Sequence, residues 1–96
     1  MDIISYVMDK ILDPTNIIEG ERYEFTLELN IDEEDELFQK GGVDLRAIIS
    51  KKDEQFEIKD YFFIAKADQT YLEFALEDDE EAEVLAFCKN HIEAGE

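Results

Sequence analysis

The chain has 96 residues, with 27 Asp and Glu against nine Lys and Arg, a formal net charge of −18. That sign excludes a direct nucleic-acid binder that neutralises phosphates, and it disfavours docking on an anionic membrane. The apolar share of 45%, with seven Phe and four Tyr, supplies one modest core, so a single domain over residues 1–96 is expected rather than a disordered chain.

Residues 3–12, IISYVMDKIL, read as a first strand. Ile4, Tyr6 and Met8 share one face; Ile3, Ser5, Val7 and Asp9 share the other. Ile4, Met8, Ile11 and Leu12 also fit helical spacing, so an amphipathic helix is the alternative. The β-branched Ile and Val favour strand. Residues 13–20, DPTNIIEG, form a connection: Pro14 fixes φ and Gly20 is expected at positive φ. Ile17 and Ile18 are expected to plug an end of the sheet, or else to form an exposed contact patch.

Residues 22–31, RYEFTLELNI, carry the strongest pattern. Tyr23, Phe25, Leu27, Leu29 and Ile31 alternate with Arg22, Glu24, Thr26, Glu28 and Asn30. This predicts a long strand with one greasy and one wet face. The run DEEDE at 32–36 reads as a solvated loop tip, and Gly41-Gly42 marks the turn into a strand at 43–50. There Val43, Leu45, Ala47 and Ile49 share one side. Residues 51–54, KKDE, are a hairpin turn. A strand from Gln55 to Lys66 is predicted to bulge or kink at Lys59-Asp60. Ala67-Asp68-Gln69 make another turn, and residues 70–76, TYLEFAL, a last strand.

The period then changes. Val84, Leu85, Phe87, Cys88 and Ile92 form one stripe of an amphipathic helix running from Asp78 or Asp79 to about Ile92. An Asp N-cap is expected, with acids in the first turns, Lys89 and His91 in the last, and Gly95 as the stop. The predicted fold is α+β: about five sequential antiparallel strands, a curled meander or small partial barrel, with the C-terminal helix packed on it.

Little catalytic chemistry is visible. With one Cys there is no intramolecular disulfide, and with one His a zinc site would need carboxylates to complete it. Cys88 and His91 are helical neighbours at i and i+3, the spacing of a thiolate–imidazole pair. With no third group or oxyanion loop beside them, Cys88 reads as core and His91 as a helix-end residue. DEEDE lacks the spacing of a calcium loop, and EDDEE at 77–81 reads as helix capping and solubility. No phosphate-cradling glycine loop or serine elbow is present. No catalytic, cofactor-binding or metal-binding residue is assigned, and an enzyme is not expected. Tyr61, Phe62, Phe63 and Tyr71 place aromatics on both phases of adjacent strands, so the face away from the helix either is covered or leaves an aromatic patch.

The segments DPTNIIEGERYEF at 13–25, DEEDEL at 32–37 and FALEDDEEAEVLAFCK at 74–89 resemble a family of small acidic proteins of Bacillus-like bacteria with no assigned biochemical role. The resemblance carries no functional residues with it. Some of its members bear the label pullulanase, which the physics rejects. Starch-debranching enzymes resemble much larger chains built on a barrel of about 250 residues, and this chain has too few residues and the wrong element order.

The function expected is a non-enzymatic, acidic, cytoplasmic interaction module that binds a basic protein surface, as a monomer or homodimer. Imitation of DNA's charge is a special case. The cytoplasmic expectation rests on an acidic Asp2 where a signal peptide would be basic, and on the absence of any apolar run of bilayer length. The alternative is a small-molecule-binding domain or enzyme using the mouth of the curled sheet, lined by Ile17-Ile18 and residues 61–64.

Overall fold

The computed structural model describes residues 2–11 and 20–94. The predicted roles of Pro14, Ile17, Ile18 and Gly95 fall outside these residues. Five strands, β1 (Asp2–Ile11), β2 (Glu21–Asn30), β3 (Val43–Lys52), β4 (Gln55–Ala65) and β5 (Thr70–Leu72), precede one helix, α1 (Asp78–Glu93). The strands lie in the order β1-β2-β3-β4-β5, each antiparallel to its neighbour, in an open sheet rather than a closed barrel. This is the α+β meander that hairpin-length connections and alternating strands dictate. Residues 3–11 are strand, not helix. No helix among the described residues is long and apolar enough to cross a membrane.

The inner face is formed by the apolar phase of each strand. Tyr23, Phe25, Leu27 and Leu29 of β2 pair with Ile49, Ala47, Leu45 and Val43 of β3, and all eight are buried. Phe63 continues the Leu45 row on β4. α1 lies over this face. Val84, Cys88 and Ile92 are its buried residues, Phe87 meets Tyr6 of β1 edge-on at 5.5 Å, and Lys89 Nζ stands 5.7 Å from the Phe56 ring of β4. Each fully buried Phe or Leu contributes about 1.5–3 kcal/mol relative to its exposed state. The helix therefore holds by its stripe, not by propensity alone.

Two bulges set which side chains enter that core. Lys59 is extra on β4: Ile48 faces Asp60 while Ile49 faces Ile58. Phe56 and Ile58 point inward before it, and Tyr61 and Phe63 after it, so the kink expected at Lys59-Asp60 keeps both halves of the strand amphipathic. The second bulge was not foreseen. On β1 the register passes from Ile3↔Leu29 to Ser5↔Glu28, leaving Ile4 unpaired. Ile3 therefore shares the inner face with Tyr6 and Met8, while Ile4 is 60% exposed. Strict alternation groups Ile4 with Tyr6 and Met8, and Ile3 with Ser5, because it assumes an unbroken ladder.

Two further boundaries differ from the sequence reading. β5 stops at Leu72 rather than Leu76. Its pairing covers only Phe63, Ile64 and Ala65, after which the Phe74 N–H turns back to the Leu72 carbonyl at 3.0 Å. The chain then dips so that Leu76 is buried, and its N–H is taken by the Tyr61 hydroxyl at 2.9 Å. The N-cap of α1 is Glu77, not an Asp. Glu80, three residues on, accepts the Glu77 N–H at 3.0 Å, the reciprocal arrangement of a capping box.

Gly20 enters β2 at φ +74°, as expected, and a Cβ there would stand 2.5 Å from the Lys51 carbonyl oxygen. Only glycine allows so close an approach. At the same end of the sheet, Asp53 and Glu54 turn β3 into β4 with φ of 49° and 67°. Both are left-handed, a tight hairpin geometry that Asn-Gly adopts more readily.

Candidate protein-interaction surface

The two acidic clusters are far apart in sequence but meet in space. Asp32 and Asp35 of the 32–36 run, Glu77 and Glu80 at the start of α1, and Asp2 of β1 line one cleft of about 410 Å³. Its apolar wall includes Ile31, Leu37 and Phe74, the last 39% exposed. Local hydrogen bonds set the carboxylates in place. Asp32 Oδ1 accepts the Glu34 N–H at 3.2 Å, and Asp35 Oδ1 accepts the Leu37 N–H at 2.9 Å. These side chains close turns that Asp favours, while Glu77 and Glu80 cap the helix. The loop is solvated, as expected, and the helix acids do cap. Their convergence on one aromatic-walled cleft could not be read from sequence.

Among the described residues no three His, Cys, Asp or Glu are grouped to hold a metal ion.

Among the described residues the outer face of the sheet carries no helix. Phe62 stacks on Tyr71 with ring centroids 5.5 Å apart, and the two are 37% and 65% exposed. Of the four aromatics singled out in the sequence, these two form the surface patch, while Phe63 is core and Tyr61 holds Leu76. Carboxylates stand directly opposite each other on this face, Asp9 facing Glu24 and Glu28 facing Asp44. Like charges so placed repel. Lys66 answers one pair by bonding Glu28, and that bond holds the Glu28 carboxyl below the usual glutamate range. Arg22 and Arg46, also on this face, each bury a guanidinium Nε with no hydrogen-bond partner among the described residues.

Cys88 is fully buried, and burial pushes its thiol up to about 12, so it is neutral and inert at neutral pH. His91 stacks with Tyr6 at 4.2 Å and Phe87 at 4.4 Å. It belongs to an aromatic cluster under the helix end. The interior that a ligand would need is filled by side chains, with Phe25, Leu27, Leu45, Ile49 and Val84 among the fully buried.

Residues 1–95 match one family of unknown function, DUF6509. The chain belongs to that family. No curated protein and no solved structure matches it. Membership of DUF6509 agrees with the absence of functional residues to carry over from the resemblance, and it leaves the acidic cleft and the outer face to be read on their own chemistry.

Proposed function

We propose that this DUF6509 chain is a non-enzymatic interaction module that binds a basic protein segment. The observation that carries the reading is the cleft in which five carboxylates from three separate segments meet over an aromatic wall. A lysine or arginine of the partner enters it, its stem on Phe74 and its head among Asp32, Asp35 and Glu80. The net charge of −18 steers cationic partners toward the surface and repels anionic ones. The opposed carboxylates Asp9–Glu24 gain from the same cationic partner, which relieves their repulsion.

The test is a titration of isotope-labelled protein with a lysine- and arginine-rich peptide, followed residue by residue by NMR. Amide shifts concentrated at Asp2, at 30–37 and at 74–80, and abolished in the double variant D32N/D35N, support the cleft. Binding should weaken steeply as the Debye length falls from about 30 Å at 0.01 M salt to about 8 Å at 0.15 M. Shifts spread evenly over every acidic patch would show that the charge serves solubility alone.

A further inference from the structure

The outer face ends, at the β3–β4 hairpin, in a cavity of about 470 Å³ where basic side chains outnumber acidic ones. Three of the nine basic residues of this very acidic chain, Arg22, Lys52 and Lys59, line it together. The register explains the gathering. Arg22 pairs with Ser50, Ser50 with Glu57, and Lys52 with Gln55, so one row brings side chains of three strands to one side. The bulge places Lys59 beside them.

We infer that this cavity is a binding site for a small ligand bearing a single oxyanion group, a carboxylate or a phosphate. Arg22 has a desolvated Nε–H with no acceptor among the described residues. A buried donor left without a partner is costly, and an oxyanion removes that cost through a charge-assisted bond. Ser50, buried at 8% exposure, offers a hydroxyl, and Gln55 an amide, on the cavity wall. Two carboxylates on the wall, Asp53 and Glu57, oppose an anion, but Lys59 Nζ binds Glu57 at 2.7 Å and holds its carboxyl below the usual range, and the three cations still outnumber the two acids. The volume is in the range of small-molecule sites and exceeds what an inorganic ion fills. The surrounding charge of −18 rejects polyanions such as nucleic acid, so one oxyanion on a compact body is the ligand class that fits. This site lies at the opposite end of the strands from the acidic cleft and does not depend on the reading of that cleft.

The experiment follows the arginine Nε–Hε, glutamine side-chain amide and backbone amide resonances of the full chain by NMR during titration with inorganic phosphate and, separately, acetate, at constant ionic strength; the Ser50 and Gln55 amides report the affinity of the variants. Arg46 is the internal control, because its Nε is equally buried and unpartnered on the same face but does not line the cavity. A saturable shift at Arg22, Ser50 and Gln55 with Arg46 silent is expected. Arg22→Gln should weaken it about tenfold or more, the usual size of losing a charge-assisted bond. Tighter phosphate or tighter acetate binding then names the ligand class. Equal responses at Arg22 and Arg46, a response that never saturates, or unchanged affinity in Arg22→Gln would overturn the site. Should Arg22→Gln fail to give a folded spectrum, Lys52→Gln decides on the same readout.

Discussion

The two faces of the sheet obey different rules, and β2 shows both at once. Its inward side chains, Tyr23, Phe25, Leu27 and Leu29, are all buried and all apolar. Its outward ones, Arg22, Glu24, Thr26, Glu28 and Asn30, share no chemistry except contact with water. The inner face is constrained by close packing, which leaves little freedom in volume or polarity. The outer face is free of that demand, so its charges and aromatics can vary at little cost to packing. The two ends of the sheet also differ: basic residues gather around Arg22 and carboxylates beyond Asn30, roughly 26 Å apart along an extended strand.

Substitutions can break that contrast. Phe25→Ala on the inner face should cost about 3–5 kcal/mol by urea unfolding, enough to threaten a fold of ordinary stability. Phe62→Ala, a residue of the same size on the outer face, should cost clearly less, and an equal loss would mean that the outer face is packed after all. Tyr61→Phe removes the hydroxyl that receives the Leu76 N–H, and should cost about 1 kcal/mol by the same measurement. Replacing Asp53-Glu54 by Asn-Gly relieves two left-handed residues and should raise stability by roughly 0.5–1 kcal/mol in a thermal melt.

The smallest effect concerns pH. Lys66 lowers the Glu28 carboxyl, so this pair stabilises the fold above the unfolded glutamate pKa. Its contribution is lost as pH falls through the lowered folded value. Glu28→Gln should therefore slightly flatten the acid limb of stability, read as urea midpoints over an acidic pH series. The change is small because the pair is solvent-screened.

Alternation read from sequence placed the inner faces of β2 and β3 and the helical stripe, because burial imposes a period on the residues themselves. It also located the bulge at Lys59, where two polar residues interrupt an apolar run. It missed the bulge at Ile4, where the extra residue is as apolar as its neighbours and breaks no pattern. It overran β5, since Phe74 and Leu76 continue a strand-like phase after the pairing has ended. The cleft was invisible for a different reason. Its members are joined by tertiary packing of 32–35 against 77–80, and each cluster alone has a sufficient local role in a turn or a cap. The cationic cavity was hidden in the same way, dispersed over three strands in a chain whose bulk charge points elsewhere.

The outer edge of β1 adds a consequence for behaviour at high concentration. Unpaired among the described residues, this strand edge of ten residues is a template on which another chain can extend the sheet. The bulge at Ile4 interrupts that row of free N–H and C=O groups, and Asp2 and Asp9 set like charge against any copy that approaches. Both devices act against edge-to-edge pairing of two copies. Replacing Asp2 and Asp9 by Asn removes the electrostatic one while leaving the exposed Ile4 and Val7 in place, so the double variant should self-associate at lower concentration than the parent chain, read by light scattering.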